Sequence, residues 1–335
     1  MDFKSTFFNE LKQLISDFAH ILKPFLSYII FNEFGRLRSG WRFSFFLLAF
    51  IIISGILVIG TVGILSNLPI GFSQESLLAF VVPFAITASV ATLLGWLFGK
   101  IFEDLPFRAL GAWFTKNWLK DLIFGLILGA VSIGVAALIA FIFGGMRFEM
   151  NQNSGSTAIL LTLGVTLLIF IFGAIAEETF FRGYLLQTLT RAKLMWLGII
   201  LTSFLFASAH NSNPGANVLS WTNTLLAGVW LAAAYLKTRN LWFPFGIHLT
   251  WNWAQGAFFG INVSGLSELA SAPLLRVSEK GNAFIGGGDY GLEGGIACTI
   301  SLIISTAIIW FLPIFKPTEE MLALTNEEKP ISRLA

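Results

Sequence analysis

Hydrophobic residues occur along this chain in eight long runs that are separated by shorter polar segments. About 20 consecutive apolar residues are needed for a helix to cross the hydrocarbon core of a bilayer. The runs cover residues 43–66, 77–99, 121–143, 157–180, 195–210, 217–236, 241–260 and 294–315. The pattern predicts an all-α polytopic membrane protein, a bundle of about eight transmembrane helices.

The composition fits the same class. The chain is 56% hydrophobic and 12% charged, with 35 Phe and 11 Trp, and its net charge is +2. Such values are far from those of a soluble domain. We expect a lipid bilayer around the chain and no nucleic-acid partner. The single cysteine, Cys298, excludes a disulfide framework and a cysteine-based metal site.

Lys and Arg are distributed unevenly between the two sides of the predicted bundle. With the N-terminus inside, the inner segments carry eighteen of these residues, and the outer segments carry only Arg147, Arg276 and Lys280. Cytoplasmic loops are enriched in Lys and Arg. We therefore predict a multi-pass protein with both termini in the cytoplasm. Short loops and the lack of a eukaryotic targeting signal favour a bacterial plasma (inner) membrane.

Three regions follow from this pattern. Residues 1–42 form a cytoplasmic N-terminal segment, whose mixture of charged and apolar residues is typical of an amphipathic helix on the membrane surface. Residues 43–315 form the transmembrane domain, with a catalytic core at about 157–260. Residues 316–335 form a cytoplasmic tail. The outer loop, residues 261–293, is glycine-rich and is interpreted as a flexible connector.

Two adjacent carboxylates, Glu177 and Glu178, lie in the fourth apolar run. Ionisable groups in a membrane are costly unless they are paired inside protein, so they indicate a functional site. Glu178 and Arg182 are four residues apart and are expected to pair on one helix face. Glu177 then points about 100° away, toward a cavity. It lies roughly 20 Å from Arg191 along the helix axis.

Further polar residues interrupt the fifth and seventh runs. His210 lies roughly 25 Å from Lys193 along its helix, and His248 and Asn252 lie roughly 13 and 20 Å from Arg239. Because these depths are similar to that of Glu177, we predict one shared cavity, which opens to the cytoplasm.

The spacing within these runs also has chemical meaning. His248 and Asn252 are four residues apart and can converge on one ligand atom. Phe206 precedes His210 by one helical turn and is expected to pack against it.

Three short motifs carry a family resemblance. EETFFR at 177–182 matches EExxxR, FASAH at 206–210 matches FxxxH, and HLTWN at 248–252 matches HxxxN. In this order, the motifs resemble those of the CAAX protease and bacteriocin-processing (CPBP, also called Abi) family of intramembrane endopeptidases. The resemblance covers about residues 100–260.

The resemblance implies hydrolysis of a peptide bond by a glutamate-activated water. Glu177 would be the general base, and His210 would help to hold the water. His248 and Asn252 would stabilise the oxyanion. The substrate would be a membrane-associated or lipidated peptide or protein. Structural support would come from Glu178, Arg182 and Phe206.

The sequence leaves the metal question open. Glu177, His210 and His248 could supply the three protein ligands of a catalytic zinc ion. However, the HExxH motif is absent, and no further acidic residue is evident to act as base if Glu177 is a ligand. We therefore favour a metal-free mechanism.

Other functions are compatible with the same residues. A proton-coupled transporter also carries membrane-embedded carboxylates and histidines, but no pair of broken helices or internal repeat is evident. A non-catalytic membrane scaffold or bacteriocin-immunity protein of the same fold is harder to distinguish. In a purely structural reading, Glu177 belongs to a buried ion network, His248 and Asn252 bridge helices, and His210 caps a helix end.

Overall fold

Long helices make up most of this chain. The computed structural model describes residues 3–67, 77–267 and 269–328. The polar segment between the first two predicted spans and the last residues of the predicted tail lie outside this description. The long helices are α1 (Phe3–Ile30), α2 (Ser39–Ser66), α3 (Leu77–Glu103), α4 (Trp118–Gly144), α5 (Ser156–Glu178), α7 (Met195–Ala209), α8 (Val218–Thr238), α9 (Trp242–Trp253) and α11 (Ile296–Phe311). The short helices are α6 (Leu186–Arg191), α10 (Ala283–Gly286) and α12 (Glu319–Thr325).

The prediction of an all-α polytopic membrane protein is confirmed. Each of the eight predicted runs contains a helix. Among the described residues, five helical stretches are long and apolar enough to cross a membrane. These five are Ser39–Ser66, Leu78–Glu103, Trp118–Gly144, Ser156–Arg191 and Val218–Thr238. Helices α7 and α11 are apolar but shorter, and α9 has only 12 residues. The exact number of spans stays a prediction.

Two π-helical segments lie at or near the sequence motifs: the first begins within EETFFR, and the second begins two residues after HLTWN. The backbone of α5 continues beyond Glu178 through a π-helical segment, Thr179–Leu185, into α6. A second π-helical segment, Ala254–Phe258, continues α9. Such segments are rare and are frequently found at functional sites, because they change the direction in which side chains leave the helix.

Helices α4 and α9 approach each other closely through glycines. A methyl group on Gly129 would lie 2.4 Å from the carbonyl oxygen of Ile247, and one on Gly246 would lie 2.7 Å from that of Leu122. The Thr250 hydroxyl donates across this interface to the Leu126 carbonyl (2.9 Å). Small residues allow this packing between membrane helices. The contact fixes the helix that carries His248 and Asn252.

A buried ion cluster joins α2, α3 and α6 at one end of the bundle. The Glu103 carboxylate pairs with both Arg42 and Arg191, and it accepts a hydrogen bond from Thr188 (3.1 Å). All four side chains are buried. Arg42 also pairs with Glu328, which brings the described part of the C-terminal tail onto the same end.

The segments at the opposite end form a small antiparallel sheet. Strand β1 (Arg147–Met150) pairs with β2 (Leu275–Glu279), with Phe148 opposite Val277. Both strands lie in segments predicted to be outside. The loop 261–295 is therefore structured: besides β2 it contains α10 and two 3₁₀ turns, Gly288–Tyr290 and Leu292–Gly294. Its interpretation as a flexible connector is wrong.

Candidate functional site

Glu178, the last residue of α5, connects two of the three motifs. Its Oε1 accepts a hydrogen bond from Arg182 Nη1 (2.8 Å), and it lies 2.8 Å from His248 Nδ1. The side chains of Glu178 and Arg182 are buried. The predicted ion pair with Arg182 is therefore present, and the contact with His248 is an additional finding. Because a carboxylate oxygen here accepts, Nδ1 of His248 carries the proton, and the ring orientation is fixed.

Arg182 and Phe206 form the centre of the cluster. Arg182 Nη2 donates to the backbone carbonyl of Gly228 in α8 (3.2 Å), and the guanidinium lies 4.9 Å from the centroid of the Phe206 ring. The Phe206 ring lies 4.8 Å from the ring of His210 and 6.1 Å from that of His248. Phe206 therefore packs between the two histidines, in addition to the predicted contact with His210.

Glu177 contacts the other nitrogen of the same imidazole. Its Oε2 lies 3.7 Å from His248 Nε2, which is longer than a hydrogen bond. This oxygen is buried and has no hydrogen-bond partner among the described residues. The side chain as a whole is 25% exposed, whereas that of Glu178 is 1% exposed. Glu178 Oε2 also has no hydrogen-bond partner among the described residues, so the two adjacent carboxylates differ in exposure and in the contacts of Glu178 Oε1 with Arg182 and His248.

His210 and Asn252 complete the predicted set. His210 is the C-cap of α7, and its Nδ1 lies 2.8 Å from the Phe206 carbonyl. Since a carbonyl only accepts, Nε2 of a neutral His210 remains a free acceptor. The half-buried Asn252 amide has no hydrogen-bond partner among the described residues.

A small cavity of about 40 Å³ brings most of these residues together. Its wall is mainly apolar, and Glu177 joins the site through its contact with His248. The cavity is lined by Phe206, His210, Asn223, Thr224, Ala227, Trp230, Leu231, His248, Trp251, Asn252, Ser264, Glu293, Cys298 and Leu302.

Glu293 is a cavity residue that the sequence analysis missed. Its Oε2 accepts hydrogen bonds from the backbone and the hydroxyl of Ser264 and from Gln255 Nε2 (3.2 Å). Burial raises the pKa of the Glu293 carboxyl above its ordinary value, although these hydrogen bonds and the electrostatic effect of the His210 side chain oppose the shift. The statement that no further acidic residue is present at the site is therefore wrong. The only sequence signal was an acidic residue between glycines in the GLEGG segment.

The cavity borders the outer loop. Ser264 and Glu293 of the loop 261–295 line it, and His210 lies at the C-terminal end of α7. That the cavity opens to the cytoplasm stays a prediction. Helix rise gave the depth of each residue along its own helix, but it did not show that the outer loop packs against α8 and forms part of the cavity wall.

The proposed zinc ligands do not form a metal site. Among the described residues, no three His, Cys, Asp or Glu side chains are grouped so that they could hold a metal ion. The residues thus do not fit the three-ligand arrangement of a catalytic zinc.

Comparison with known proteins supports the resemblance. Residues 158–254 match the family model described as type II CAAX prenyl endopeptidase Rce1-like. The matched segment contains all three motifs, and the resemblance to the CAAX protease family is confirmed.

Two relatives match segments of different length in this chain. An uncharacterized 24.3 kDa protein of Escherichia coli is 34% identical over 93 residues, which cover 27% of this chain and 41% of that protein. The uncharacterized protein YyaK of Bacillus subtilis (strain 168) is 27% identical over 230 residues, which cover 63% of this chain and 73% of that protein. The chain thus spans less than half the length of the first relative.

Proposed function

We propose that this membrane protein is an intramembrane endopeptidase that hydrolyses a peptide bond with a glutamate-activated water. The similarity of its segment 158–254 to the CAAX prenyl endopeptidases supports the proposal. The observation that carries the proposal is the pair formed by Glu177 and His248. The buried Oε2 of Glu177 has no hydrogen-bond partner among the described residues. It lies 3.7 Å from Nε2 of His248, and Glu178 holds the other nitrogen of that ring.

Glu177 is the general base in this proposal. The distance of 3.7 Å between Oε2 of Glu177 and Nε2 of His248 is too long for a direct hydrogen bond. A water molecule that donates to Oε2 and also contacts Nε2 would suit this separation. Glu177 takes a proton from this water as its oxygen attacks the substrate carbonyl carbon. The adjacent cavity of about 40 Å³ is large enough for water. It is too small for a peptide, so the substrate must displace part of the wall.

His248 and Asn252 stabilise the charge that develops on the carbonyl oxygen. The Nδ1 contact with Glu178 holds the His248 ring so that Nε2, when protonated, donates toward the reacting atoms. The Asn252 amide has no partner among the described residues, so its donors are free for the substrate oxygen. Donors that are fixed in advance in a water-poor site stabilise developing charge most effectively. His210 Nε2 helps to hold the water.

Glu178 and Arg182 act indirectly. Arg182 neutralises the buried Glu178 carboxylate, and Glu178 in turn orients His248. A buried charge that loses its partner is strongly destabilising. These two residues are therefore positioning residues, and they do not contact the substrate.

The location of the site supports the proposed substrate class. The cluster lies among apolar helices, which suits a membrane-associated or lipidated peptide or protein as substrate. The charge pattern supports an orientation with both termini in the cytoplasm, and the short loops favour a bacterial inner membrane.

The test is a comparison of membrane proteomes. Cells that produce the wild-type protein are compared with cells that produce Glu177→Ala, and with a control in which the exposed Glu149 of β1 is replaced, Glu149→Gln. We expect at least one fragment that is present with wild type and Glu149→Gln and absent with Glu177→Ala. A proteome that is identical in all three strains contradicts the proposal and favours a non-catalytic scaffold.

A further inference from the structure

Glu293 stands out among the residues of the cavity wall. It lies in the loop between β2 and α11, and the same wall contains His210, His248 and Asn252. No other carboxylate and no Lys or Arg is among the described residues that line the cavity. Glu293 is therefore a carboxyl group in a wall that contains two histidines but, among its described residues, no Lys or Arg.

The two oxygens of this carboxylate are in different environments. Oε2 accepts from the backbone N–H and hydroxyl of Ser264 and from the amide of Gln255. These three neutral donors orient the carboxylate. Oε1 accepts no hydrogen bond from the described residues. It is a free acceptor at the wall of the cavity, as a carboxylate oxygen at a ligand-binding position would be.

The backbone around Glu293 is held rigidly. Asn223 Nδ2 of α8 donates to the carbonyls of Glu293 (2.8 Å) and Gly295 (2.9 Å), and Thr299 donates to Asn223 Oδ1 (2.6 Å). Gly291 has φ +98°, and a methyl group there would lie 1.9 Å from a backbone oxygen. Only glycine fits this conformation. The loop is thus built to hold the carboxylate in one place relative to α8.

The proposed hydrolysis leaves the N–H of the scissile amide without a hydrogen-bond acceptor. Water oxygen bonds to the carbonyl carbon, the C–N bond breaks, and the nitrogen takes the proton that Glu177 removed from water. The nitrogen departs as an amine and becomes an ammonium ion at neutral pH. Glu177 supplies its proton, and His248 and Asn252 serve the oxyanion, but none of these roles provides an acceptor for the N–H.

We propose that the free Oε1 of Glu293 accepts a hydrogen bond from the N–H of the scissile amide and then holds the departing amine. The proposal rests on the proposed peptidase function, and it makes Glu293 a further catalytic residue. A fixed carboxylate that forms no ion pair with Lys or Arg is suited to an N–H donor that gains positive charge during the reaction.

The experiment compares two bonds that differ only in the leaving group. The substrates are a synthetic peptide spanning the cleavage site found by proteomics and its analogue with an ester at the scissile position. The ester has no N–H, and its leaving alcohol stays neutral. Purified wild type, Glu293→Gln and Asp289→Asn are compared, since Asp289 is an exposed carboxylate of the same loop.

We expect Glu293→Gln to lower kcat for the amide about 100-fold, the usual size of an effect on proton transfer or leaving-group stabilisation. Its kcat for the ester should change less than about threefold. Asp289→Asn should hydrolyse both substrates like wild type. Glu293→Asp keeps the charge on a shorter side chain, and its amide-to-ester ratio should lie between those of wild type and Glu293→Gln.

Each other outcome has a distinct meaning. Equal loss of amide and ester hydrolysis in Glu293→Gln shows a structural role and overturns the inference, as does unchanged amide hydrolysis. If Glu293→Gln does not fold, an unchanged amide-to-ester ratio in Glu293→Asp overturns it. Wild type that hydrolyses neither substrate contradicts the proposed function itself, and the inference with it.

Discussion

Glu178 and His248 are 70 residues apart in the sequence, and their side chains lie 2.8 Å apart in the fold. The same Glu178 oxygen also accepts from Arg182, so one buried carboxylate holds both a guanidinium and an imidazole. The second nitrogen of that imidazole faces Glu177. The adjacent glutamates of the EETFFR motif therefore contact opposite sides of one histidine.

The buried ion pair predicts a large loss of stability when one partner is removed. Arg182→Ala leaves the Glu178 carboxylate buried without its cation, and it should lower the free energy of unfolding by about 3–5 kcal/mol. Lys100→Ala removes an exposed pair with the same four-residue spacing, and it should cost less than about 1 kcal/mol. Thermal and denaturant unfolding in detergent measures both. Equal stability of the two variants would show that the Glu178–Arg182 pair is not important for the fold.

The raised pKa of Glu293 predicts a pH-dependent difference between wild type and Glu293→Gln. The folded state holds the proton more strongly than the unfolded state, whose carboxyl titrates near the ordinary value of 4.5. This stabilisation is complete below that value and is lost as the pH rises through the folded-state pKa. Glu293→Gln cannot ionise, so its Tm should rise relative to that of wild type as the pH increases from below 4.5 through the folded-state pKa of Glu293.

The matched measurement uses Asp289→Asn in the same loop. The Lys280 ammonium lowers the pKa of the exposed Asp289 carboxyl, so its pH dependence should have the opposite sign. A Tm difference between Glu293→Gln and wild type that stays constant with pH, or that falls as the pH rises, would be inconsistent with a raised Glu293 pKa.

The proposed mechanism predicts activity without a bound metal ion. Glu177, His210 and His248 are not grouped as ligands, so chelators should leave hydrolysis unchanged. Elemental analysis of active purified protein should find zinc far below one ion per chain. Near-stoichiometric zinc that is lost together with activity on chelation, and restored with it on addition, would replace the metal-free mechanism with a zinc-dependent one.

The charge distribution predicts the orientation of the bundle. Reporters fused after Arg191 and after Arg239 should be cytoplasmic, and reporters fused near Asn213 or Gly287 should be external. The loop that borders the cavity would then lie on the outer side. A reporter after Arg191 that is external would reverse this orientation and place the cavity on the cytoplasmic side of the bundle.

Local features of this protein could be predicted from its sequence, and contacts between distant segments could not. The apolar runs gave the helix positions, because a bilayer requires a minimum helix length. The Glu178–Arg182 pair followed from four-residue spacing on one helix. The contact between Glu178 and His248 depends on the packing of α4, α5 and α9, which spacing within one helix does not reveal.

Glu293 shows the limit more clearly. Its position in the same cavity wall as His210 results from the packing of the loop 261–295 against α8, where the Asn223 hydrogen bonds hold it. In the sequence, it is one acidic residue in a glycine-rich loop. The two π-helical segments were also not predicted. They differ from an α-helix only in that each backbone hydrogen bond spans five residues instead of four, and the apolar pattern of the sequence does not show this difference.

The central claim is that Glu177 activates the water that cleaves the substrate, and the most direct test is kinetic. Purified wild type is compared with Glu177→Gln, His210→Ala, His248→Ala and Asn252→Ala on the peptide found by proteomics, with Glu149→Gln as the control. We expect the Glu177 and histidine variants to be folded but inactive. Asn252→Ala should lose about 100-fold in kcat, as is typical for the loss of one oxyanion donor. Glu149→Gln should match wild type. Substantial hydrolysis by folded Glu177→Gln would contradict the account.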